Sequence, residues 1–149
     1  MSGFARTQVN EADVFRKAPF LVSSETGLPL QGDVPKSSVA VTADGAPEIL
    51  KNVHLMDASG GAVTLTFPAD MSDYVGRTMT FVCAANPGGN DCVVACAAGQ
   101  LAGFTSVKLN ILGAATDTTV SVTIFISSPT AAHVIALTPD QAGTLPTIA

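Results

Sequence analysis

The fold is decided by residues 62–84, which read AVTLTFPADMSDYVGRTMTFVCA. Apolar and polar side chains alternate in both halves of this stretch, which is typical of strands with one buried and one outer side. The expected buried side consists of Val63, Leu65, Phe67, Met79, Phe81 and Cys83. The expected outer side consists of Thr64, Thr66, Thr78, Thr80 and Val82. Two half-buried strands are therefore predicted, joined by residues 68–76, which have room for a single helical turn.

The same two-residue period continues on both sides of this stretch. Further strands are predicted at residues 38–43, 48–56, 92–97, 106–112, 119–127 and 132–137. Residues that favour turns separate these runs, as in the segment NPGGND at 86–91. Seven or eight strands without a long amphipathic helix predict one all-β domain over residues 38–137, built as an antiparallel sandwich or jelly roll.

Charge is distributed unevenly along the chain. Of its 149 residues 47% are hydrophobic and only 13% are charged, with a net charge of −5. Residues 1–51 carry five basic and six acidic side chains, whereas residues 52–149 carry two basic and six acidic ones. Because no basic cluster is present, the sequence argues against binding to nucleic acid or to an anionic membrane surface. The uncharged interval 118–139 contains two prolines and alternates like a strand, so no membrane-spanning helix is predicted.

The N-terminal residues 1–37 differ from the rest of the chain. They combine eight of the nineteen charged side chains with three prolines and with the isolated aromatic residues Phe4, Phe15 and Phe20. Because an unstructured linker rarely contains so many aromatic residues, we predict an extended arm that lies on a neighbouring subunit or on its own domain. Its three phenylalanines are the candidate partner-binding residues. Residues 138–149 are predicted to form a C-terminal tail. The N-terminus has no apolar segment typical of a secretory signal, so we expect synthesis in a reducing cytoplasm.

Three cysteines, Cys83, Cys92 and Cys96, do not form the even-numbered framework of a disulfide-rich secreted protein. Cys92 and Cys96 share one face of a predicted strand but lie about 13 Å apart, too far to be joined. Cys83 could face Cys92 across a hairpin and form a disulfide, or all three could be small buried hydrophobic residues. Neither His54 nor His133 forms a zinc-ligand pair with a cysteine, so no metal site is predicted.

The sequence contains no pattern that indicates catalysis. Sequence motifs for dinucleotide, phosphate or zinc binding and for a nucleophilic serine are absent, so we expect a non-enzymatic protein without a cofactor. Asp70 and Asp73 are expected to belong to a capped turn and not to a catalytic carboxylate pair. The alternative function is glycan binding, with Tyr74, Asp70, Asp73 and Asp91 near the sugar.

The outer strand faces are polar but carry no charge. They comprise Thr64, Thr66, Thr78, Thr80, Thr119, Ser121 and Thr123. Sheets of monomeric proteins usually carry charges that prevent pairing with other chains, and obligate interfaces are depleted in charge. We therefore predict a homo-oligomer or a subunit of a larger shell, in which other protein covers much of residues 52–149.

Residues 62–111 resemble the small β-rich domains of bacteriophage and other viral structural proteins. The resemblance lies in a VTLTLP-like strand at 63–68, a strand at 76–82 with a basic residue after glycine, Gly88-Gly89, and a glycine-containing return at 99–103. It implies a capsid decoration (cement) protein, a minor capsid subunit or a head-fibre domain, located in the virion and made in the host cytoplasm. It also implies a trimer that binds the major capsid protein or other virion subunits. The resemblance indicates a class of protein and does not assign a role to any individual residue.

Overall fold

The structure is a computed structural model that describes residues 37–85, 89–109, 120–139 and 143–149. These residues belong to one compact unit, Ser37–Ala149. They form nine strands, namely β1 (Ser38–Val41), β2 (Val53–Asp57), β3 (Val63–Thr66), β4 (Thr78–Ala85), β5 (Cys92–Ala95), β6 (Ser106–Leu109), β7 (Ser121–Ser128), β8 (Ala131–Thr138) and β9 (Thr147–Ile148). A 3₁₀ turn at Ser72–Tyr74 occupies the predicted place for a helical turn. None of the described residues forms a helix long and apolar enough to cross a membrane.

Two mixed sheets contain these strands. One sheet has five strands in the order β1-β2-β4-β7-β8, and the other has four in the order β3-β5-β6-β9. The prediction of an all-β, sandwich-like domain is thereby confirmed. The C-terminal segment, predicted as a tail, contributes β9, which pairs with β6.

The predicted antiparallel arrangement is wrong for part of the fold. Among the described strands, β1 with β2, β2 with β4, and β3 with β5 pair in parallel. The reason is that the chain passes from β2 to β3 in the other sheet, and then back to β4 in the first. Two such reversals return the chain in its original direction, so neighbours within one sheet run parallel. Direct hairpins, β5-β6 and β7-β8, are antiparallel as predicted.

The connection between β1 and β2 is fixed to both sheets. Its residue Gly45 lies opposite Leu65 of β3 in a parallel bridge. The N–H of Gly45 donates to the carbonyl of Thr64 at 3.1 Å, and the N–H of Thr66 donates to the carbonyl of Gly45 at 2.8 Å. Nearby, the hydroxyl of Tyr74 donates a 2.7 Å hydrogen bond to the carbonyl of Pro47. The backbone N–H of Glu48 donates to Nε2 of His54 at 2.9 Å. These bonds satisfy the polar groups of a segment that crosses from one layer to the other.

The core lies between the two sheets and follows the predicted alternation. Val63, Leu65, Phe67, Met79, Phe81 and Cys83 are all buried. An aromatic row passes through the core: Tyr74 meets the ring of Phe67 edge-on at 5.3 Å, Phe67 meets Phe81 at 5.9 Å, and Phe81 stacks on His54 at 5.0 Å. Edge-on and offset contacts of this kind add to the stabilisation from burial.

Candidate functional site

Apart from Asp57, which pairs with Ala85 across a bulge at the end of β2, the outer side of the five-stranded sheet has no acidic, lysine or arginine side chain at its paired, described positions. The strand registers place Leu55 of β2 beside Val82 of β4, and Thr80 of β4 beside Thr123 of β7. The uncharged face, as we name this surface, consists of Ser38, Ala40, Val53, Leu55, Thr78, Thr80, Val82, Ser121, Thr123, Phe125, His133, Ala136 and Thr138. All of these residues are exposed or half-buried.

Local sequence explains why these side chains point outward. In β7 the buried residues Val122, Ile124 and Ile126 alternate with half-buried Ser121, Thr123 and Phe125. The period of two in a strand directs every second side chain to the opposite side of the sheet. The outward direction predicted for Thr78, Thr80, Ser121 and Thr123 is therefore confirmed, whereas Thr119 lies outside the described residues.

The uncharged face combines hydroxyl groups with apolar side chains. The hydroxyls of Thr80 and Thr123 form a hydrogen bond of 3.0 Å across β4 and β7. Beside this pair, Leu55 is 36% exposed, and Val82 and Phe125 are half-buried. A surface of this composition can exclude water against another protein with little cost for removing charge from solvent.

One edge of the same sheet carries a second apolar feature. The strand β8 contains a single titratable residue, His133, whose Nε2 lies 2.8 Å from the hydroxyl of Ser127. Along its outer edge the described backbone hydrogen bonds involve only Ala132. Residues of β8 and β9 line an open groove of about 280 Å³, formed by Val134, Ile135, Ala136, Leu137 and Ile148. With Ile135 56% exposed, this edge lacks the charges that normally prevent strand pairing.

The acidic residues of this domain support its turns. Asp70 accepts a 3.0 Å hydrogen bond from the backbone N–H of Ser72, as expected for a capped turn. Asp57 accepts one from Ser59 at 2.9 Å, and this contact lowers the pKa of Asp57. Asp91 forms an exposed ion pair of 2.7 Å with Lys108.

Tyr74 cannot present its ring to a sugar, as the glycan-binding alternative required. Its side chain is 5% exposed, and its hydroxyl is bonded to the carbonyl of Pro47. Burial raises the pKa of Tyr74, with a further contribution from the negative charge of Asp73. That prediction for Tyr74 is wrong because the ring completes the core beside Phe67. Phe104, which is 47% exposed, was not singled out from the sequence.

The buried histidine and cysteines do not form a metal site. Among the described residues, no three or more His, Cys, Asp or Glu side chains converge to hold an ion. His54 is fully buried, and this burial lowers its pKa, although Glu48 acts in the opposite direction. The predicted hairpin between Cys83 and Cys92 is wrong, because β4 and β5 belong to different sheets. Their sulfurs nevertheless meet in the core, 3.3 Å apart.

The partner-binding residues predicted in the arm, Phe4, Phe15 and Phe20, lie outside the described residues. No family model matches the chain, and no curated protein is significantly similar to it. The outer-face residues Leu55 and Phe125 and the groove beside β8 were not predicted. Their sequence signal was the low charge of residues 52–149, but only the strand registers show which positions become neighbours.

Proposed function

We propose that this chain is a non-enzymatic structural subunit of a virion, a capsid decoration (cement) protein or minor capsid subunit. It oligomerises through its β-domain and binds the capsid surface. The observation that carries the proposal is the uncharged face, which extends over all five strands of one sheet. The resemblance of residues 62–111 to viral structural domains supports the virion as the setting.

The occupant that suits the uncharged face is a second copy of the chain. A protein that stays monomeric gains solubility from scattered surface charges, whereas permanent interfaces resemble a core cut in half. Full burial of one large apolar side chain contributes about 1.5–3 kcal/mol. Because Leu55 is only 36% exposed, its further burial contributes about 0.5–1 kcal/mol. Many such small contributions are needed, and a symmetric oligomer repeats each of them in every subunit.

The arm is proposed to attach this oligomer to the capsid. In this proposal Phe4, Phe15 and Phe20 insert into apolar grooves of the major capsid protein or of other virion subunits. In a trimer three arms would bind at once, so that modest affinity per arm becomes strong attachment through multivalency. The charged residues of the arm would keep it soluble until it binds.

Density-gradient fractionation tests the proposal, with lysates from cells that produce both the chain and the virus particles. We expect the full-length chain to sediment with virus particles and a variant lacking residues 1–20 to stay at the top of the gradient. A control variant, Lys108→Ala, removes only an exposed ion pair and should sediment with the particles. A full-length chain found only at the top of the gradient would contradict the proposal, and so would particle binding by the shortened variant.

A glycan array tests the alternative function separately. A structural subunit should give no saturable signal with any sugar. Saturable binding that is lost when exposed Phe104 is replaced by alanine would favour a glycan-binding module instead.

A further inference from the structure

Cys83 and Cys92 meet between the two sheets. Cys83 lies on β4 of the five-stranded sheet and Cys92 on β5 of the four-stranded sheet. Both side chains are fully buried thiols, and the Sγ of Cys83 donates a 3.3 Å hydrogen bond to the Sγ of Cys92. In a disulfide the two sulfurs are about 2.05 Å apart, so closure requires a movement of only about 1.3 Å.

The surroundings keep this pair reduced in a cytoplasm. The hydrogen bond that Cys92 shares with Cys83, burial, and the negative charges of Asp57 and Asp91 all raise the pKa of Cys92 well above its ordinary value. Since the thiolate is the reactive form, oxidation requires a brief opening of the sandwich and is therefore slow. Burial also raises the pKa of Cys96, to about 11. The choice of Cys92 over Cys96 as the partner of Cys83 is therefore set by geometry, because Cys96 lies four residues further along the chain than Cys92.

We propose that Cys83 and Cys92 are an oxidisable pair, which a hydroperoxide converts into a disulfide that joins the two sheets. The pair would stay reduced during synthesis and close once the protein reaches an oxidising environment. This inference does not depend on the proposed function, because it concerns the interior of a single subunit.

The chemistry balances with one peroxide per pair. A thiolate attacks the peroxide, so that an S–O bond forms, the O–O bond breaks, and the departing hydroxide takes up the proton that the thiol released. The second sulfur then attacks the sulfenic sulfur, so that the S–S bond forms and the S–O bond breaks. The hydroxide leaves with the proton of the second thiol as water. Two thiols lose two electrons, and one hydrogen peroxide becomes two water molecules.

Hydrogen peroxide treatment of the purified full chain tests this inference. After unfolding, an alkylating reagent should modify three cysteines in the reduced chain and one, Cys96, in the oxidised chain. Cleavage before aspartates releases Cys83 in peptide 73–90 and the other two cysteines in peptide 91–116. These peptides should stay joined until a reductant is added. Separate peptides, sulfinic acids on both sulfurs, or a link between two chains would each overturn the inference.

Two matched variants identify the partner of Cys83. Cys96→Ala should keep the link between the peptides and leave no cysteine for alkylation. Cys92→Ala should abolish the link and leave both remaining cysteines open to alkylation. A link that persists in Cys92→Ala and disappears in Cys96→Ala would refute the assigned pair. If Cys92→Ala does not fold, fragmentation of the linked wild-type peptides shows which cysteine is joined.

The disulfide should also stabilise the domain. It closes a short loop of about ten residues, which we expect to raise the unfolding midpoint by about 10–15 °C. The rise should disappear when dithiothreitol is added and should be absent in Cys92→Ala. An oxidised chain with a lower midpoint than the reduced chain would show that the link strains the sandwich and is not accommodated by it.

Discussion

Replacing Tyr74 by phenylalanine removes one hydroxyl and leaves the aromatic core in place. The ring remains in its edge-on contact with Phe67, so the loss is confined to the 2.7 Å hydrogen bond to Pro47. Pro47 is itself buried, so its carbonyl would lose the hydroxyl donor of Tyr74 and would be shielded from water. An unsatisfied buried polar group costs about 1–3 kcal/mol of the free energy of unfolding.

The expected change in midpoint follows from the size of the domain. For roughly 110 residues the unfolding entropy is about 0.23 kcal/mol/K, so Tyr74→Phe should lower the midpoint by about 4–13 °C. Urea unfolding followed by circular dichroism measures the free energy, and the slope with denaturant should stay unchanged. The matched control Ser127→Ala removes an exposed hydroxyl and should change stability by less than about 0.5 kcal/mol. A loss of less than 0.5 kcal/mol in Tyr74→Phe would refute the role given to this bond.

Three further predictions concern backbone, pH and surface charge. Gly76 has φ +81°, so Gly76→Ala should lower the free energy of unfolding by about 1–2 kcal/mol, whereas Gly60→Ala, at an open position, should lower it much less. Urea unfolding measures both changes, and equal losses in the two variants would contradict this prediction. Because burial lowers the pKa of His54 below 6.5, the unfolded chain binds more protons, and the stability of the wild type should fall as the pH drops below 6.5. His54→Phe should flatten that dependence between pH 7 and 5, and an unchanged slope would contradict it. Lys108→Ala should change stability by less than about 1 kcal/mol at low salt, since its ion pair is exposed; a larger loss would indicate a structural role.

The strands were predictable from residue order because alternation between buried and outer side chains is a local property. Thus Val63 and Phe81 are buried and Thr80 points outward, as their positions in the period require. The pairing of strands was not predictable, because the same turn residues can close a hairpin or carry the chain into the other sheet. The error for Cys83 and Cys92 arose in this way, since a short link between two strands was interpreted as a hairpin.

The candidate site was predictable in its chemistry and not in its position. The low charge of residues 52–149 indicated covered surfaces, and Thr80 and Thr123 were singled out as outer residues. Their meeting at 3.0 Å depends on the register of β4 with β7, which brings together residues 43 positions apart. The burial of Tyr74 depends in the same way on the distant Pro47, so its local sequence in an acidic loop was misleading.

Sedimentation analysis of the wild type and of Thr123→Lys tests most directly whether a second copy covers the uncharged face. With a subunit of 15.1 kDa, the wild type should sediment as an oligomer, with about 45 kDa expected for a trimer. Thr123→Lys places a charge in the middle of the face, and removing an unpaired charge from water costs several kcal/mol, so the dissociation constant should rise roughly a hundredfold or more. The matched control Ser59→Lys lies in the exposed turn between β2 and β3, away from the outer strand faces, and should assemble like the wild type. A wild type that remains a 15.1 kDa monomer at micromolar concentration would contradict the account.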